Sequence, residues 1–133
     1  MNSKLILPIA AGLIILLTAL YFLFPAQTAE YQMDVKVQGP MKVGFNIDDD
    51  ALHFGIVPPG SNAKRSLLIE NNQGSRFVII TKTGPVANWV SISENYFILD
   101  PFTNKTVDFR VIVPSSAEQG NYTGSVKVLF YRR

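Results

Sequence analysis

The chain holds a single histidine, His53, and no cysteine. Nucleophilic catalysis by Ser or Thr needs a base beside the hydroxyl, and His53 is the one imidazole available for it. It stands between Leu52 and Phe54 in a strand-like stretch, where a half-exposed sheet residue is the simpler reading. One imidazole is too few to hold a metal unless carboxylates complete the ligand set. Asn46, Asp48 and Asp50 place oxygens at alternate positions, like the opening of a calcium loop. Such a loop calls for Gly at its sixth position and Glu at its twelfth, where this chain has Ala51 and Val57. A solvated acidic turn is expected there, with a weak Ca²⁺ site as the alternative. Two sequons, at Asn104 with Thr106 and at Asn121 with Thr123, offer glycosylation acceptors beside turns. No convergent carboxylate pair and no Gly-rich phosphate loop stands out, so neither catalysis nor a cofactor is expected.

Whatever these groups do, their placement starts from residues 5–24. This run of 20 residues contains no Asp, Glu, Lys, Arg, His, Asn or Gln. As a helix rising about 1.5 Å per residue it covers about 30 Å, the hydrocarbon thickness of a bilayer. Thirteen of its residues are Leu, Ile or Phe, and together they favour insertion by roughly 4–8 kcal/mol. A cleaved signal peptide has a shorter apolar core, and residues 26–29 supply no A-x-A pair, so a signal anchor is expected. Lys4 precedes the run, and the first basic residue after it is Lys36. The positive-inside rule then leaves residues 1–4 in the cytoplasm and the rest of the chain outside. Residues 25–30 read as a short linker, and residues 31–133 as one extracytoplasmic domain, large enough to fold on packing alone. Beyond Lys4 there are 11 basic and 10 acidic residues, interspersed, which gives nucleic-acid binding little support.

From Tyr31 on, apolar and polar residues alternate. Weak alternation covers residues 31–37, and Val43, Phe45 and Ile47 share one face. Strand-like stretches follow at 51–57, 63–71, 76–83, 89–93 and 96–99, separated by Gly, Pro and Asn turns. The clearest is 105–113, in which Val107, Phe109, Val111 and Val113 alternate with polar neighbours. Residues 121–131 alternate again. About seven or eight antiparallel strands in an all-β sandwich are expected after the one helix. Its interior is expected to hold Phe45, Phe54, Leu67, Ile69, Ile79, Val107, Phe109, Val111, Tyr122, Val126 and Val128. Trp89 should fill space between the sheets.

Three stretches resemble a known pattern: residues 52–60 (LHFGIVPPG), the basic strand ending in Glu70 and Asn71, and Val113-Pro114 followed by residues 119–124 (QGNYTG). Together they are similar to immunoglobulin-like domains of the hydin-type and NEW3-type kind, which occur in membrane-tethered surface proteins of prokaryotes. The resemblance covers residues 52–129 and implies an immunoglobulin-like sandwich that serves as a spacer or protein-binding module. The immunoglobulin Cys pair is absent. Independently of any family, Gly124 permits a bulge or a close approach in the last strand, and Tyr122 fits a tyrosine corner.

Non-catalytic contact with another envelope protein is therefore expected, and nothing calls for a small-molecule ligand. Pro58, Pro59, Ser61 and Asn62 in one loop, with Asp100 and Phe102 in another, are the candidate contacts. Open sheet edges are a further one. The alternative is carbohydrate binding, with Tyr96, Phe102 or Tyr131 as a stacking platform.

Overall fold

The computed structural model describes residues 3–39 and 51–133. The uncharged run lies in one helix, α1 (Ser3–Leu23), except for its last residue, Phe24; Pro8 is in the helix's early turns and the described side chains are exposed. The helix is long and apolar enough to cross a membrane. Among the described residues, eight β-strands follow it: β1 (Gln27–Val37), β2 (Ala51–Val57), β3 (Asn62–Glu70), β4 (Arg76–Thr83), β5 (Val90–Ile92), β6 (Phe97–Leu99), β7 (Asn104–Ile112) and β8 (Gly120–Arg132). A 3-10 turn, Ala87–Trp89, leads into β5.

The strands form two sheets. One is five-stranded and curled, in the order β2-β1-β8-β4-β6; the other is three-stranded, β3-β7-β5. A single core runs between them, with Met33, Leu52, Val78, Val107, Phe109, Val111, Val126 and Val128 in it. Strict alternation reads correctly in β7 and β8. Val107, Phe109 and Val111 are buried, with Asp108 half-buried and Arg110 exposed between them. Phe54, Leu67 and Ile69 are also inside.

Several expectations need correcting. α1 ends at Leu23 and β1 begins at Gln27, so the connection is Phe24, Pro25 and Ala26 in place of residues 25–30. The weakly β-prone Gln-Thr-Ala-Glu is drawn into the sheet because residues 27–37 pair without interruption along residues 120–130 of β8. β1 and β2 run parallel, so the five-stranded sheet is mixed. Periodicity carries no strand direction, and the 13 residues at 38–50 suffice for a crossover. Ile79 faces outward while Val78 and Ile80 are buried. Trp89 and Tyr122 are half-buried: they do not plug the centre but pack on each other, ring centroids 4.4 Å apart, at the end far from α1. The Tyr122 hydroxyl donates to the Glu118 carbonyl at 2.8 Å, which closes the final turn as a tyrosine corner does. Val43, Phe45 and Ile47 lie outside the described residues.

One side of the domain is shut by an arginine. The Arg65 Nε donates to the His53 carbonyl at 2.7 Å, and Nη2 reaches the Phe54 carbonyl at 3.5 Å. β3 is thereby tied to the outer edge of β2, whose carbonyls would otherwise be open to another strand.

Candidate functional site

Of the groups singled out for chemistry, Asn46, Asp48 and Asp50 lie outside the described residues. His53 points out of β2, and its Nδ1 pairs with Asp34 Oδ2 at 2.6 Å across the parallel ladder. With its carbonyl held by Arg65, it is part of the edge closure. Among the described residues, no group of three His, Asp or Glu side chains could hold a metal. Asn104 opens β7 opposite Glu70, and Asn121 lies in β8 opposite Lys36; both are exposed.

The two candidate contact loops are at opposite ends. Along the β3–β7 ladder, Asn62 faces Ile112 and Glu70 faces Asn104. Pro58, Pro59, Ser61 and Asn62 therefore lie at the far end, where Val113 donates its N–H to the Ser61 carbonyl at 2.9 Å. Asp100 and Phe102 lie at the helix end. The chain leaves α1 only a few residues before Gln27, which pairs with Phe130, and the Ala26 N–H bonds to the Phe130 carbonyl at 2.7 Å. Arg132, two residues on, donates to the Tyr21 carbonyl at 3.0 Å and sets its guanidinium 3.9 Å over the Tyr21 ring.

Two features of the helix end escaped the sequence reading. The first is apolar. In β4, Phe77, Val78, Ile79 and Ile80 follow one another, so the strand is apolar on both faces. Opposite residues in antiparallel strands share a face, and the register puts Ile98, Phe77 and Tyr131 in one row across the outer surface of the curled sheet. Ile79 and Leu129 make the next row, and then Thr81 with Lys127 turns the surface polar. The apolar patch is thus confined to the half near α1. The signal was present as four consecutive apolar residues, where a half-wet strand would alternate.

The second feature is backbone strain. Tyr96 and Phe102 flank β6, both at φ 55°. That region is uncommon for bulky residues and costs roughly 1–2 kcal/mol. Both rings are nonetheless held out, Tyr96 at 67% and Phe102 at 80% exposure.

The loop carrying Phe102 is fastened by Asn71, a buried polar residue whose Nδ2 lies 3.0–3.1 Å from the carbonyls of Gly74, Leu99 and Asp100. Its Oδ1 accepts from the Gln73 N–H at 3.1 Å, and its own N–H bonds to the Thr103 carbonyl at 2.9 Å. Asn71→Ala removes the side-chain partner of the three carbonyls and of the Gln73 N–H, and should lower stability by roughly 2–3 kcal/mol. Asn71→Asp should be worse, since a carboxylate would face three carbonyls. Thermal unfolding of the two variants checks the order, and an unchanged midpoint in both would refute it.

On the outer face of the three-stranded sheet, Asp108 accepts from the Ser66 hydroxyl at 2.5 Å and from Lys64 at 3.3 Å. The Ser66 bond first, and Lys64 second, hold its pKa below the usual carboxylate range. The native state therefore favours the charged form. Its contribution is complete above the ordinary carboxylate pKa and fades as pH falls through the lowered value. A carboxylate NMR titration should show Ser66→Ala moving Asp108 up toward the ordinary value; an unmoved titration would remove Ser66 as the cause. Beside this pair, Lys64, Ser91, Ser93, Asp108 and Arg110 line a shallow groove of about 200 Å³. Comparison with protein-family models, curated proteins and solved structures finds no match to this chain.

Proposed function

We propose that the chain is a single-span membrane protein with a cytoplasmic N-terminus and a non-catalytic, immunoglobulin-like domain outside, which docks a neighbouring envelope protein. The observation that carries this reading is the apolar row of Ile98, Phe77 and Tyr131 beside a helix joined to β1 by Phe24, Pro25 and Ala26. A partner reaching that row must itself be at the membrane surface, because the linker is too short to lift the domain clear of it. Lys4 ahead of the span and no basic residue from 25 to 35 support the orientation. Lateral docking through a sheet face also suits a domain whose β2 edge is closed by Arg65 and whose β6 edge is only 3 residues long.

A photo-crosslinking residue at position 98 of the full chain, irradiated in intact cells, should give an adduct with another envelope protein. The same residue at the far-end position 59 should not, and Phe77→Glu should abolish the adduct without unfolding the domain. Carbohydrate binding is the second reading, favoured by the exposed rings of Tyr96 and Phe102. Loss of every protein adduct, with retention of the full chain on a polysaccharide column that Tyr96→Ala abolishes, would replace the first reading with it.

A further inference from the structure

Among the described residues of the β-domain, Phe102 is the most exposed large apolar one, and it lies where the domain meets the span. Depth follows from register. Leu99 pairs with Arg76, and Arg76 with Arg132, so the three share one level. Arg132 touches Tyr21, which belongs to α1. Asp100, Pro101, Phe102 and Thr103 lie past Leu99, at or beyond the level at which the helix leaves the bilayer. Their loop is rigid: Asn71 holds both ends, and the Thr103 hydroxyl closes it onto the Asp100 carbonyl at 2.7 Å. A ring held out by a strained but fastened backbone loses little entropy on entering a second phase.

The charges around it match the same phase. Arg76 and Arg132 stand directly opposite each other. Arg76 donates to the Gln73 Oε1 at 2.8 Å and the Ser75 carbonyl at 3.3 Å, and Arg132 to the Tyr21 carbonyl; two like charges so placed attract an anion beside them. Arg133 adds a third positive charge, against the carboxylates of Glu70 and Asp100 at this end. Arginine pairs with phosphate through its fork of N–H donors.

From these observations we infer that the helix end of the domain is a lipid-binding surface: Phe102 inserts into the headgroup–acyl boundary while Arg76 and Arg132 bind phospholipid phosphates. This rests on the reading that α1 spans the bilayer. The domain then has two attachments to the membrane, the span and the Phe102 loop, and cannot rotate freely about its linker. The ring enters by about 5–10 Å, the depth of interfacial apolar groups. A fixed orientation keeps the row of Ile98, Phe77 and Tyr131 facing along the membrane plane, where a neighbour can meet it.

The test uses the full chain in phosphatidylcholine–phosphatidylglycerol vesicles with bromines on the acyl chains. Trp89, the one native tryptophan, is at the far end and gives an unquenched baseline. Phe102→Trp should add emission that shallow bromines largely remove. Tyr96→Trp has the same φ but sits on the other side of β6, away from the helix end, and should keep most of its emission. Leu13→Trp reports the span and should be quenched best by deep bromines. Quenching at position 13 with none at position 102 overturns the lipid contact and leaves the span standing. No quenching at position 13 overturns both.

Discussion

Val107→Asp should unfold the domain or lower its stability by roughly 3–5 kcal/mol, a large part of the 5–15 kcal/mol available to a domain of this size. Val107 has no exposed surface and pairs across the β3–β7 ladder with Leu67, also buried. A carboxylate there would lie within the apolar core, so it must be either buried unpaired or neutralised, and both cost stability. The adjacent Thr106 points to solvent opposite the exposed Leu68. Thr106→Asp should stay within about 0.5 kcal/mol of the parent. Denaturant unfolding of the full chain in nanodiscs, followed by Trp89 emission, separates the two. Equal losses would mean that the faces of β7 are reversed.

The second large effect is at the contact between Gly84 and Gly124. A Cβ on Gly124 would sit 2.5 Å from the Thr83 carbonyl oxygen, 2.8 Å from Met33 Cε and 2.9 Å from Val86 Cγ1. A Cβ on Gly84 would sit 2.6 Å from the Gly124 Cα, and Gly84 is also at φ 97°. Two backbones therefore meet where β4 leaves the sheet beside β8, and neither can retreat without breaking the ladder between them. Gly124→Ala and Gly84→Ala should each cost roughly 2–4 kcal/mol, from overpacking and, at Gly84, from the left-handed backbone as well. Gly74→Ala is the control: nothing lies nearer to its Cβ than Arg76 Nη1, at 3.8 Å. Similar melting temperatures for all three would show that the close approach is not a constraint.

Strand identity was legible wherever one face is wet. In β7 and β8 polar residues mark the outside at every second position, and the inner sets Val107, Phe109, Val111 and Val126, Val128 follow directly. β4 gave no such mark. With Phe77 through Ile80 all apolar, period two cannot choose a face, and Ile79 was placed inside when it lies outside. Strand direction was equally hidden, because the parallel β1–β2 pair depends on where the chain returns and not on side-chain pattern. Gly124 was readable as a close approach, since only the missing Cβ explains a glycine inside so regular a strand. The helix end was readable only in parts. Phe102 could be named as an exposed aromatic, but its left-handed backbone could not, because glycine is the usual sign of that conformation. Asn71 was visible as the end of a strand, while two of its three carbonyl partners, Leu99 and Asp100, lie 28 and 29 positions away. The Arg132 contact with Tyr21 spans 111 positions and has no local signature.

The central claim is an anchored domain outside a cytoplasmic N-terminus, and single-cysteine labelling tests it most directly because the chain has no cysteine of its own. Gln119→Cys lies in the exposed far-end turn before β8, and Asn2→Cys precedes the span. In intact cells a membrane-impermeant maleimide should label position 119 at once and position 2 only after permeabilisation, with both variants staying in the carbonate-washed membrane fraction. Labelling of position 2 with protection of position 119, or release of the chain from the membrane, would contradict the account.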